Sequence, residues 1–377
     1  MNAPAGADVV IAGGGLIGLA VAWRCAQRGL SVTVLEPEPT AGASFAAAGM
    51  LAPITEAAYG EEPLLRLCQE SLARYPAFAA ELTALTRVDI GLRTTGTLQV
   101  GFDADDMRAL DDLHAFHVEL GLPVERLTPG DARRREPSLT PRLRGAVRVP
   151  SDHSVDARAL HAALTAAVAA VGVTVVPAHA ESLVVEEGHA VGLAHSGGVA
   201  GGRTVVLAMG AWSGNLPGAP RLPVRPVKGQ VLRLRGANGV LDGTVRALVR
   251  GRGVYLVPLR DDELVIGATV EEKGFDRTAT AGGVYELLRD AIEVVPAVTE
   301  LELAETVVRF RPGTPDNAPL LGPSADVAGL LLATGHYRNG VLLTPATADA
   351  IAGYLADGAL PDYAKGFGPQ RFVESMR

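Results

Sequence analysis

Cysteine is nearly missing from this chain, which has only Cys25 and Cys68 among 377 residues. Two isolated thiols make neither a disulfide framework nor a metal site, and they fit a reducing compartment. The eight histidines show no metal-ligand spacing, so no metal is expected. Positive charge is also in deficit. A net charge of −8 argues against a nucleic-acid partner held by bulk electrostatics. No long hydrophobic run occurs. Val9 to Trp23 is apolar, but Gly13, Gly14, Gly15 and Gly18 interrupt it, and it is too short to span a bilayer. Met1–Ala7 offers neither a basic n-region nor a cleavable apolar segment. The expected location is the cytoplasm, with no membrane partner. No repeat, low-complexity tract or obvious linker divides the chain.

What is present is apolar mass and a nucleotide signature. Hydrophobic residues make up 48% of a chain longer than one core usually serves, so two domains are expected. Asp8–Ala12 reads as a buried strand. Gly13-Gly14-Gly15-Leu16-Ile17-Gly18 follows, then an apolar-periodic helix to Gly29, then a strand from Ser31 to Leu35 ending on Glu36. This is the G-x-G-x-x-G fingerprint in its strand–turn–helix–strand setting. Gly13 permits the tight turn, Gly15 lets backbone approach a pyrophosphate, and Gly18 lets helix and strand pack closely. The helix N-terminus offers N–H groups and partial positive charge to phosphates. Glu36 stands about twenty residues on, where a carboxylate accepts bonds from a ribose 2′-OH and disfavours a 2′-phosphate. A glycine-rich turn without a ligand would leave Glu36 unexplained. The fingerprint alone does not separate FAD from NAD.

Three stretches have α/β texture. The first is 8–90. The second holds a helix at Val155–Val171, a strand at Val173–Val176 and a strand running into Ala208-Met209-Gly210. The third is a strand ending Ala333-Thr334-Gly335, followed by a helix that stops near Gly358. Strands that end on glycine bring backbone beside a ligand, so Gly210 joins the candidate cofactor residues. Between these stretches, 91–144 mixes short strands with a helix near Ala104–Leu120. Residues 225–307 alternate like antiparallel strands, with a hairpin at Arg260-Asp261-Asp262-Glu263. The expected fold class is α/β: a Rossmann-like dinucleotide-binding domain from 1–90, 145–224 and 308–377. An inserted α+β substrate domain on a mixed or antiparallel sheet comes from 91–144 and 225–307.

Ser44-Phe45-Ala46-Ala47-Ala48-Gly49-Met50-Leu51 is small enough for a flat ring to lie against backbone, or is an ordinary tight helix start. Gly335 to Leu343 joins a strand to a helix whose N–H groups can face an anionic ring atom. An arginine near a cofactor is a bidentate carboxylate clamp, although most single arginines are solvated. Arg311 sits in such a turn-rich stretch, and Tyr255 can donate to the same carboxylate. Asp152-His153-Ser154 is not a triad, because adjacency in sequence is not geometry.

Several motifs together resemble the D-amino-acid oxidase superfamily of flavoproteins, and within it the glycine oxidase group of thiamin biosynthesis. They are Val10 through Gly18, Ala46-Ala47-Ala48-Gly49-Met50-Leu51, Val224-Arg225-Pro226-Val227-Lys228-Gly229-Gln230, Tyr255-Leu256-Val257-Pro258, Val265-Ile266-Gly267-Ala268-Thr269, Arg311-Pro312-Gly313-Thr314, and Gly335-His336-Tyr337-Arg338-Asn339-Gly340-Val341-Leu342-Leu343-Thr344-Pro345. The resemblance covers nearly the whole chain. It implies noncovalent FAD, since neither cysteine stands where related enzymes attach flavin. It implies that Arg311 pairs with the substrate carboxylate, Tyr255 supports it, and Arg338 lies near substrate and flavin. Implied FAD contacts are Leu16, Ile17, Glu36, Pro37, Ala43, Ser44, Ala48, Gly49 and Met50, a backbone contact near Glu181, and His336, Tyr337, Arg338, Asn339, Gly340, Val341 and Leu342. Val270 and Gly253 depart from the family pattern at positions expected to line the pocket.

The implied reaction is oxidation of glycine, with other small amines or D-amino acids, to an imine with H2O2, feeding thiamin thiazole synthesis. A neutral amine needs no protein base for hydride loss, so no acid/base residue is expected. The resemblance also implies a homo-oligomer, namely a tetramer, and a handover of product to a thiazole synthase. The alternatives are an oxidase or dehydrogenase for sarcosine or bulkier D-amino acids, and a catalytically silent FAD-binding subunit.

Overall fold

The computed structural model describes residues 6–372. Its secondary structure sorts into two large sheets. The first has a parallel centre, with Leu330–Thr334, Gly198–Leu207, Ala7–Ala12, Val32–Leu35 and Thr174–Val176 side by side. Leu320–Pro323 adds an antiparallel edge, and the hairpin of Ser182–Glu186 and His189–His195 runs off Gly198–Leu207.

Side-chain alternation along these strands assigns the two faces. Ile11, Val34, Val206 and Leu331 face one core, where helices Leu16–Gln27, Glu62–Thr86, Ala157–Ala170 and Thr344–Asp357 lay Trp23, Tyr75, Phe78, Leu160 and Ile351. Val10, Leu35, Val205 and Leu332 face the other, against Leu183, Leu193 and Leu216. Cys25 and Cys68 are both buried on the helical side, and burial pushes the Cys25 thiol up to about 12. They are packing groups. Among the described residues, no helix is long and apolar enough to cross a membrane.

The second sheet has eight strands in the order Glu302–Gly313, Arg225–Arg235, Glu263–Gly267, Arg252–Pro258, Thr244–Val249, Thr97–Gly101, Gly145–Val149, Glu125–Leu127. Only Thr244–Val249 and Thr97–Gly101 run parallel. Helix Ala281–Val294 covers one face through Leu287, Ala291 and Val294. Asp261 and Asp262 take φ of +53° and +66° in the expected hairpin, the left-handed pair that a tight two-residue turn requires.

Strand membership departs from the expected borders in two places. Gly145–Val149 pairs with Thr97–Gly101 and Glu125–Leu127 in the second sheet. Residues 308–313 continue a second-sheet strand that begins at Glu302. Which sheet a short apolar run joins depends on distant partners, and local pattern does not carry that information. We propose two units, with those two segments moved to the substrate side.

Candidate active site

A cleft of about 390 Å³ runs between the carboxyl ends of the first sheet and one face of the second, within the size range of cofactor and ligand sites. One end is built by the fingerprint. Gly13 has φ +100°, and a Cβ there would lie 2.5 Å from the Ala208 carbonyl oxygen. A Cβ on Gly18 would lie 1.9 Å from the Gly13 carbonyl oxygen, so this glycine sets the helix–strand contact and does not line the cleft. Gly15 caps the first helix without a side-chain bond. A Cβ on it would meet only the Ser44 Oγ, at 3.6 Å. Open space before uncapped helix amides is the cradle a diphosphate needs. The Leu16 N–H donates to the Ser44 Oγ at 3.3 Å, which fixes the 43–45 turn over that cradle. Glu36 accepts from the N–H groups of Gly14 and Glu38 at 2.6 and 2.9 Å, so its carboxylate is held at the strand end.

His179 and Ala180 line this end, and Glu181 does not. The Glu181 N–H donates to the Ala194 carbonyl, drawing it back into the hairpin sheet. We propose that the expected backbone contact belongs one or two residues earlier, at His179 or Ala180. Arg277 and Arg309 line the cleft and make no ion pair among the described residues. Arg309 donates to the Thr40 carbonyl at 3.0 Å, and its guanidinium lies 5.4 Å from the Phe45 ring centre. Burial and the nearby Arg277 both disfavour its charge. Glu38 and Glu305 offset this only in part, and two close cations that form no ion pair among the described residues are suited to a dianion. The residues present thus fit a dinucleotide cofactor.

The opposite end holds the expected substrate residues. Arg311, Tyr255 and Arg338 all line it, with Ala48, Gly49, Met50 and the 336–341 segment. Leu342 is buried in the helical core instead, just ahead of the last long helix. Glycines make the room. A Cβ on Gly229 would come 2.4 Å from the Arg311 Nη1, and one on Gly267 would come 2.2 Å from the Tyr255 Oη. Arg311 Nη1 donates to the Thr269 carbonyl at 3.1 Å. Among the described residues it makes no ion pair, which leaves its fork available to a carboxylate. Burial pushes the Tyr255 phenol up against the pull of the Arg311 cation, so the phenol stays a neutral donor. His336 is buried and bonded to Thr347 Oγ1 at 2.9 Å. Burial drives its imidazole down to about 3, so it is neutral.

The 268–280 segment straps this end, and the Lys228-Gly229-Gln230 motif ties it down. Lys228 Nζ donates to Asp276 at 2.8 Å, and Gln230 Nε2 donates to Glu271 at 2.7 Å. Phe275 on the strap stacks 5.3 Å from Trp212. Val270 is 63% exposed and Gly253 borders open space, so neither departure from the family pattern touches the cleft.

Glu56 was not visible in the sequence. It follows a small apolar run with no motif of its own, yet it lines the substrate end, paired with Arg246 and 3.3 Å from the Arg338 Nε. Burial raises its carboxyl, but Arg246, Arg338 and Arg311 more than offset that and hold it below the usual carboxylate range. Asp152 anchors the segment leading to it, accepting from the Ile54 N–H at 3.2 Å and from the Thr55 N–H and hydroxyl at 3.0 and 2.7 Å.

Comparison with known proteins agrees with this geometry. Residues 8–354 match the family model DAO, described as FAD dependent oxidoreductase. A glycine oxidase from Geobacillus kaustophilus is 38% identical over 352 residues, covering 92% of each chain. A crystal structure of glycine oxidase from that organism superposes with a TM-score of 0.90 at 35% identity, covering 97% of this chain and 99% of that one. The bifunctional ThiO/ThiG protein of Trichormus variabilis is 37% identical over 352 residues, and this chain spans about half its length, 53%.

Proposed function

We propose that this chain, which belongs to the DAO family of FAD-dependent oxidoreductases, oxidises glycine with O2 and water to glyoxylate, ammonia and H2O2. The observation that carries the reading is Arg311, a half-buried guanidinium that forms no ion pair among the described residues, set beside the neutral Tyr255 phenol at one end of a dinucleotide cleft. FAD, when bound, takes two electrons from the substrate amine and passes them to O2.

The residues of the chain bind and orient. The amides at the N-terminus of the first helix, with Arg277 and Arg309, hold the diphosphate, and Glu36 takes the adenosine ribose. The small Ala46–Gly49 run and the 336–341 segment flank the ring. Arg311 grips the substrate carboxylate through its planar fork, and Tyr255 donates to the same group. His336, neutral and bonded to Thr347, shapes its wall without adding charge. No side chain is assigned to take the Cα proton. A substrate as small as glycine is aligned almost entirely by its carboxylate, so fixing that group supplies most of the orientation.

The same reading places the enzyme in the cytoplasm as a homotetramer whose product feeds thiamin thiazole synthesis. Its support is likeness to proteins named glycine oxidase and ThiO/ThiG. The test is direct. Anaerobic glycine bleaches the flavin band of the purified protein, and aerobic turnover yields glyoxylate and H2O2 in equal amounts. Unchanged absorbance with glycine, sarcosine and D-alanine overturns the oxidase assignment. Faster turnover of sarcosine or D-alanine moves the substrate.

A further inference from the structure

The substrate end of the cleft contains two guanidiniums, from Arg311 and Arg338, and one carboxylate, from Glu56. The carboxylate is not shared evenly. Its Oε1 is taken by Arg246, which approaches from the strand Thr244–Val249 and also lies 3.8 Å from the Met50 sulfur. Its Oε2 is buried, has no hydrogen-bond partner among the described residues, and lies 3.3 Å from the Arg338 Nε. Among the described residues Arg311 forms no ion pair, and its Nη1 donates to the Thr269 carbonyl. The position of Glu56 is not adjustable, because Asp152 grips the two preceding residues through three hydrogen bonds.

We propose that Glu56 is a specificity-determining residue that limits the pocket to substrates bearing one carboxylate. Two open guanidiniums in one small pocket would welcome a diacid. Glu56 occupies one of them from within the protein, so a single cationic fork remains. A second carboxylate on the substrate would have to sit beside the fixed anion, where like charges repel in a partly dry site. Arg246 has a separate task. It keeps Glu56 ionised and turned toward Arg338, although it does not line the cleft itself. The inference rests on the amino-acid oxidase reading for the identity of the ligands, but the charge arrangement is judged by binding alone.

The test uses flavin-loaded protein and two unreactive probes, acetate and malonate, titrated through the flavin absorbance. In the native protein acetate binds more tightly. In Glu56→Gln, Arg338 is released, and the malonate-to-acetate affinity ratio rises by about tenfold or more. The turnover ratio of iminodiacetate to glycine rises in parallel. A merely structural effect of the substitution would weaken both probes together and leave the ratio unchanged. A smaller rise in the ratio overturns the proposal. Where Glu56→Gln does not load flavin, Glu56→Gln/Arg246→Gln removes both charges of the buried pair and is held to the same ratio. Failure of the native protein to turn over any amine overturns the oxidase reading and leaves the acetate and malonate titrations to decide on Glu56.

Discussion

Gly267 lies directly across the β-ladder from Tyr255, and its lack of a side chain is what seats the phenol ring over the neighbouring strand. A Cβ at this position would stand 2.2 Å from the Oη and 2.3 Å from the Cζ of that ring. Gly267→Ala therefore displaces Tyr255. We expect kcat/KM for glycine to fall roughly fivefold or more, the equivalent of losing one neutral hydrogen bond at about 1 kcal/mol, with flavin content unchanged. In a Tyr255→Phe background the same substitution costs less, since both act through one hydroxyl. Full additivity of the two in steady-state kinetics would separate Gly267 from Tyr255.

Arg311→Ala removes the proposed carboxylate clamp. Breaking a hydrogen-bonded charge pair in a partly dry site costs about 2–5 kcal/mol, so kcat/KM falls roughly 30-fold to a few thousandfold. FAD stays bound, because Arg311 is assigned to the substrate carboxylate and not to the diphosphate. Arg311→Lys recovers only part, lacking the planar fork. Native kcat/KM in a flavin-replete Arg311→Ala would move the clamp elsewhere, with Arg338 the first candidate.

We propose that Arg309 and Arg277 act on the cofactor and not on the substrate. Arg309→Gln weakens FAD by roughly 10- to 100-fold in fluorescence titrations of the apoprotein, the range for one charged hydrogen bond at about 1.5–3 kcal/mol. The loss shrinks as salt is raised. At saturating FAD the KM for glycine is unchanged. An Arg309→Gln protein with native FAD affinity at low salt removes this residue from the diphosphate site.

Asp152 gives a pH signature. Burial, only partly offset by its bonds to Thr55 and Ile54, pushes its carboxyl up to about 6 from 3.8. Its folded pKa is above its unfolded one, so the folded state binds more protons between those values. Stability from this group is highest below about pH 4 and is lost as pH rises through 6. The loss is on the order of 2–3 kcal/mol. Denaturant unfolding of the native protein and Asp152→Asn at pH 4, 5, 6 and 7 should differ by that slope, with the variant lacking it. Parallel pH curves for the two proteins would contradict the raised value.

Much of the cofactor end was legible because backbone requirements leave local marks. The Gly13, Gly15 and Gly18 spacing and Glu36 are set within one strand–helix–strand unit, and the structure places them as that unit demands. Arg311, Tyr255 and Arg338 were legible only through likeness to a family, since a lone arginine or tyrosine carries no signal of its own. What stayed hidden is non-local. Glu56 meets Arg246 and Arg338 only after three distant segments converge. Gly229 and Gly267 look like strand glycines until the side chains they accommodate are in place. The 145–149 strand joins the second sheet by pairing with partners on either side of it, and Glu181 misses the cleft because a hairpin bond to Ala194 pulls it away.

The strand Glu302–Gly313 belongs to the second sheet, yet Arg309, Phe310, Arg311 and Pro312 at its end line the cleft of the first. The Tyr337 N–H donates to the Pro312 carbonyl at 3.0 Å, and Arg309 reaches the Thr40 carbonyl at the same distance. The two halves are thus bolted together at the spot where the reacting molecules meet. A hinge that swung them apart would break the bench on which the substrate is aligned. Opening the frame would give up both of these hydrogen bonds together with the alignment.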